Sequence, residues 1–116
     1  MNEIWLNREY IEKRKWYFEN LDRVVQMIRS VLDKFFSSYE IYLFGSVAED
    51  DYTMASDIDI LVVSDETPKK ISERSRIISE VYRVIGFDAP VEIHLVDNKG
   101  FQWYKKFVKK FVKLYP

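Results

Sequence analysis

The sequence predicts an α/β (α+β) fold, a small mixed β-sheet flanked by helices. Three observations carry this. Three short runs rich in β-branched and aromatic residues, EIYLF (40–44), DIDILVV (57–63) and PVEIHLV (90–96), are bounded by turn residues and have the length of strands. Between and around them, apolar residues recur at three- and four-residue steps on charged segments, the period of amphipathic helices. The resulting order is helix, strand, strand, helix, strand, helix, which a sheet covered by helices accommodates.

The first helix is expected over residues 7 to about 37, with Leu21, Val24, Val25, Ile28, Leu32 and Phe35 as its apolar stripe and KRK (13–15) on its polar side. Ser37 and Ser38 end the pattern. Gly45 breaks the first strand, and residues 46–51 suit a short helical turn, because Ser46 is a good N-cap and Glu49 stands three residues later. YTMAS is a loop. Residues 57–63 are apolar on both faces, the pattern of a central strand. A second helix is expected from about Pro68 or Lys69 to Ile85, with Ile71, Ile78, Val81, Tyr82 and Ile85 inward and Gly86 as its stop. After the third strand, Asn98-Lys99-Gly100 is a turn and residues 101 to about 114 a last helix. That helix would carry Tyr104, Phe107, Val108, Phe111, Val112 and Tyr115 on one side and lysines on the other.

A chain of 116 residues, 47% hydrophobic, is expected to fold as one domain, residues 1–116. It has no cysteine, which excludes disulfides, thiolate metal sites and cysteine nucleophiles. The polar start MNEIWLNREY does not resemble a secretory leader, and no apolar run approaches the ~20 residues that span a bilayer. A soluble, cytoplasmic protein without a membrane role is expected. The net charge of −1 hides an asymmetry: six lysines and no acid follow from Lys99 on, while all 19 acids and 12 bases before it give −7.

Two aspartates, Asp57 and Asp59, stand at the mouth of the most apolar run in the chain. Strand side chains alternate, so both point to one face, with Cα atoms roughly 7 Å apart. Carboxylates so placed can converge on hard cations. Glu92 and His94 share one face of the third strand. If that strand neighbours the second, Glu92 meets the aspartates, and a divalent cation relieves the repulsion of three carboxylates. His94, the sole histidine, is expected to pack or hydrogen-bond beside the site. Gly45 and Ser46, at a strand end opening a helical turn, offer backbone N–H groups and a hydroxyl to an anion. A phosphate-grasping turn beside a carboxylate cluster is what nucleotidyl or phosphoryl transfer from a metal-bound nucleotide requires.

The arrangement Gly45-Ser46, ten residues, then Asp57-Ile58-Asp59 resembles the signature of the DNA polymerase beta-type nucleotidyltransferase superfamily. In a chain this short it is similar to the minimal nucleotidyltransferase (MNT) proteins, over roughly Tyr39 to Asp97. The resemblance implies a nucleotidyltransferase-like fold. It implies that Gly45 and Ser46 hold the β- and γ-phosphates, that Asp57 and Asp59 hold two Mg2+ ions, and that Glu92 completes the site of the ion activating the attacking hydroxyl. Asp88 and Asp97 are alternatives for the third carboxylate. The implied reaction transfers a nucleoside monophosphate, AMP from ATP, to an acceptor. Val47, Ala48, Glu49 and Asp50 stand where many MNT proteins have an arginine and a glycine, which places two acids near a triphosphate.

Relatives that modify antibiotics or polymerise nucleic acid carry further domains to hold the acceptor, and this sequence has little left over for one. The acceptor is therefore expected on a partner protein or a second copy of the chain. MNT proteins often pair with HEPN-type helical proteins as toxin–antitoxin modules. The resemblance thus implies an antitoxin that adenylylates its partner, with the aromatic, lysine-rich C-terminal segment as docking surface. No motif for reading nucleic acid accompanies those lysines. The other class of function is a binding module, a nucleotidyltransferase fold that neutralises or senses a partner with little or no turnover.

Overall fold

A computed structural model describes residues 3–116, with side chains from Arg8 onward. The reading of the first ten residues rests partly on Met1 and Asn2, which lie outside the described residues. Five helices and four strands follow in order: α1 (Glu3–Glu19), α2 (Leu21–Phe35), β1 (Glu40–Phe44), α3 (Gly45–Ala48), β2 (Ile58–Val63), α4 (Ile71–Ile85), β3 (Val91–Val96), α5 (Asn98–Lys105) and β4 (Val112–Tyr115). The expected α+β architecture, a mixed sheet with helices against it, is present.

The sheet order is β3-β2-β1-β4. β2 runs parallel to β3, joined through α4, while β1 is antiparallel to both β2 and β4. The two-residue period of the strands divides the apolar residues between two faces. Ile41, Leu43, Ile58, Ile60, Val62, Val91, Ile93 and Leu95 join one cluster, covered by Val24, Val25, Ile28, Val31 and Leu32 of α2 and by Ile77, Val81 and Ile85 of α4. Phe44, Leu61 and Val63 form a second cluster with Phe101 of α5. β2 is thus buried on both faces, as its sequence predicts. Ile60 is 0% exposed, and truncating such a residue to alanine costs about 2–5 kcal/mol.

Three expectations are corrected. The single helix over 7–37 is two helices. Asn20 leaves helical geometry (φ −123°, ψ 37°), and its side-chain amide donates to the Trp16 carbonyl at 2.8 Å. Asparagine competes in this way for backbone groups that a helix would otherwise use. α4 starts at Ile71, later than expected, and Ile71 itself is 72% exposed. The inward row is Ile77, Val81 and Ile85, with Ile78 and Tyr82 beside it.

The third correction concerns the C-terminal segment. Asn98-Lys99-Gly100 opens α5, because Asp97 caps it by accepting from the Gly100 N–H at 2.8 Å. The helix stops at Lys105, and Val112–Tyr115 is a strand on the edge of β1. Without it β1 would present unpaired backbone groups. Tyr115 packs on Tyr39 (centroids 5.1 Å apart) and lies under the Arg29 guanidinium (3.8 Å), while Lys113 pairs with Glu40 at 2.6 Å. The helical spacing in the sequence arises because Tyr104, Val108 and Phe111 do pack on one cluster, but from a helix end and a turn. Among the described residues, no helix is long and apolar enough to cross a membrane.

Candidate active site

The site forms where three strand ends meet. β1 is antiparallel to β2, so its last residue, Phe44, pairs with Asp59 near the start of β2. This carries Gly45 to the Asp59 side chain. β3 is parallel to β2, and the register Asp59↔Glu92 and Leu61↔His94 places Glu92 and His94 on the face that Asp59 occupies. Ligand atoms of Asp59, Glu92 and His94 all lie within 4.8 Å of one another.

Gly45 is required at its position twice over. Its φ of +77° lies in the left-handed region, and a Cβ there would stand 2.2 Å from Asp59 Oδ2. The backbone of the Gly-Ser turn and the Asp59 carboxylate are therefore in direct apposition. Ser46 sits within α3, and Phe44 is its N-cap without a side-chain cap bond, so the expected Ser46–Glu49 capping arrangement does not occur. The turn closes through Glu49 N–H to Gly45 O (3.1 Å) and Asp51 N–H to Ser46 O (2.9 Å). Glu49 and Asp50 are exposed, and Asp50 takes φ 55°, a left-handed conformation that aspartate tolerates better than most residues.

The electrostatics are those of crowded carboxylates. Burial, then the charges of Glu92 and Asp57 and a hydrogen bond with Glu92, push the Asp59 pKa up to about 6. Burial lowers the pKa of His94 against the opposing pull of Glu92. The His94 ring lies edge-on to Phe44 and Tyr104, its Nδ1 3.0 Å from Tyr104 Oη and its Nε2 3.5 Å from Glu92 Oε1. Burial, together with the charges of Glu92 and Asp59, raises the Tyr104 pKa. A carboxylate whose charge is opposed by burial and by neighbouring acids is one that a divalent cation would stabilise in its ionised form. Two carboxylates and an imbedded Gly-Ser backbone fit a divalent metal with a phosphate ligand.

Asp57 precedes β2 and stays outside this tight group. It is exposed, and its Oδ1 lies 3.5 Å from Arg14 Nη2. Arg14, expected on the polar side of its helix, is 7% exposed. Its Nε donates to the Met54 carbonyl (2.8 Å) and its Nη2 to the Ser56 carbonyl (2.5 Å). Phe18 stacks on Tyr52 at 5.2 Å in the same loop. α1 therefore fixes the segment that delivers Asp57. The signal was the three- and four-residue spacing of Tyr10, Arg14, Tyr17 and Phe18, masked by the lysines on either side of Arg14. The two alternative carboxylates are engaged elsewhere: Asp88 pairs with Lys13, and Asp97 caps α5.

The nucleotidyltransferase domain family matches residues 25–115 of the chain. A solved crystal structure of a candidate nucleotidyltransferase is 32% identical, covers 78% of this chain and 96% of its own, and superposes with a TM-score of 0.66. A second candidate nucleotidyltransferase, from Sulfolobus solfataricus, is 28% identical over 90% of this chain and 84% of its own, with a TM-score of 0.59. No curated protein matches significantly.

Proposed function

The chain belongs to the nucleotidyltransferase domain family, and from that premise we propose that it transfers AMP from ATP to a hydroxyl of a partner protein, as the cytoplasmic antitoxin of a HEPN/MNT pair. The observation that carries the reading is the meeting of Gly45, Asp59 and Glu92 at one end of the sheet, with Asp57 beside them. Gly45 and Ser46 hold the triphosphate, the glycine by letting phosphate approach the main chain and the serine by its hydroxyl. Asp57 and Asp59 hold two divalent ions, and Glu92 with Asp59 holds the ion on the nucleophile's side. When bound, the ions lower the pKa of the attacking hydroxyl and offset charge on the leaving pyrophosphate. Arg14 positions Asp57 through the loop it grips, and the apolar floor of Phe44 and Leu61 keeps water from one side of the carboxylates.

The acceptor comes from a HEPN-type protein or from a second copy of the chain. Exposed Trp103 and Phe107, their tilted rings 4.9 Å apart among Lys105, Lys106, Lys109 and Lys110, suit its docking surface. Glu49 and Asp50, exposed beside the phosphate turn, favour a second reading, a fold that binds a partner with little turnover. Intact-mass spectrometry of a candidate HEPN-type partner after incubation with ATP and Mg2+ separates the two. The enzyme leaves an AMP adduct with wild type and none with Asp57→Ala/Asp59→Ala. An unmodified partner, or the same adduct with the double variant, rejects catalysis at this site.

A further inference from the structure

We propose that His94 is itself a ligand of the divalent ion held by Asp59 and Glu92, giving this site a mixed oxygen–nitrogen donor set that favours first-row transition ions over Mg2+. The inference rests on the metal-site reading above and goes beyond it in the donor and in the ion. His94 lies two residues beyond Glu92 on the same face of β3, opposite Leu61 in the register. Its Nε2 stands 3.5 Å from Glu92 Oε1, and Asp59, Glu92 and His94 each offer a ligand atom within 4.8 Å of the others. Neighbouring ligands around an octahedral ion at ~2.1 Å are about 3 Å apart, and opposite ones about 4.2 Å. The three side chains lie close to that spacing, with Nε2 and Oε1 at 3.5 Å and all three ligand atoms within 4.8 Å, and would draw together on the ion.

The imidazole is also held for the task. Phe44 and Tyr104 pack edge-on against the ring at 5.2 and 5.8 Å, and the hydrogen bond between Nδ1 and Tyr104 Oη occupies the far nitrogen. In the tautomer whose Nδ1–H donates to the phenol oxygen, Nε2 keeps its lone pair toward the carboxylates. Histidine ligands are oriented in this way by a partner on the second nitrogen. Mg2+ takes oxygen donors and yields little to imidazole, whereas first-row transition ions gain from a nitrogen ligand.

Mn2+ alone, titrated into the full chain and followed by electron paramagnetic resonance, tests this without any turnover. Bound Mn2+ is expected to show nitrogen coupling in the pulsed spectrum of the wild type. His94→Gln is expected to lose that coupling and to bind Mn2+ about tenfold or more weakly, with a smaller change in Mg2+ affinity read by competition. Bound Mn2+ without nitrogen coupling in the wild type overturns the inference while leaving the carboxylate site standing. Should His94→Gln not fold, the wild-type spectrum still decides. If wild type and Asp59→Asn fail alike to bind Mn2+, the metal-site reading itself falls.

Discussion

Replacing Gly45 with alanine tests the apposition of turn and carboxylate from both of its sides. The backbone there has φ +77°, and the new Cβ would lie 2.2 Å from Asp59 Oδ2. Left-handed backbone costs a non-glycine residue about 1–2 kcal/mol. In a domain near 100 residues this lowers Tm by about 4–8 °C per kcal/mol. The clash adds to it, and it relaxes only if the Asp59 carboxylate swings away from Glu92 and His94. Gly45→Ala should therefore lose both stability and divalent-metal binding. Gly86→Ala is the control. It has φ +111°, and its Cβ would meet Tyr17 Oη at 2.7 Å in the cluster on the opposite face of the sheet from Asp59, so it should lower Tm but leave metal binding intact. Differential scanning calorimetry and Mn2+ titration on the two variants separate the effects. A Gly45→Ala protein with wild-type Tm and metal affinity would show that the Gly-Ser turn and the Asp59 carboxylate are not in this apposition.

Arg14→Met keeps most of the buried stem but removes the donors to Met54 and Ser56 and the partner of Asp57. A loss of about 2–3 kcal/mol is expected, with hydrogen exchange faster in residues 51–57; protection unchanged there would show that α1 does not hold the loop. The raised pKa of Asp59 fixes the sign of a pH effect: the folded state binds its proton more tightly than the unfolded one, so the contribution is full below about 3.8 and is lost as pH rises through about 6. Metal-free wild type should thus lose stability over that window relative to Asp59→Asn, and parallel urea-denaturation curves across it would contradict the assignment. Deleting residues 112–116 bares the β1 edge and removes the Tyr115 contacts with Tyr39 and Arg29. The truncated chain should unfold at lower temperature and self-associate in sedimentation velocity, and a monomer of unchanged Tm would show β4 to be dispensable.

The parts legible in the sequence were those where one local property decides the outcome. β-branched runs marked β1, β2 and β3, and two-residue alternation put Asp59 on one face and Ile58 and Ile60 on the other. Gly45-Ser46 and Asp57-Ile58-Asp59 mark one end of the sheet, and the pairing of β3 with β2 brings Glu92 to it. What was not legible depended on tertiary context. β4 lies in a segment whose aromatics also fit a helical period, and only the open edge of β1 makes the strand preferable. Arg14 sits before the span matched by the family and between two lysines, so its burial shows only once the 51–57 loop folds over it. The closeness of His94 to Asp59 and Glu92 depends on the parallel register, which no single strand encodes.

The most direct test of the central claim is transfer of label from ATP carrying isotopic phosphorus at the α position, with purified chain, a HEPN-type partner and a divalent ion. Label is expected on the partner, lost on chelation and absent with Asp59→Asn. Label that persists in Asp59→Asn or without metal, or a partner left unlabelled by a wild-type chain that binds both ATP and metal, contradicts the claim.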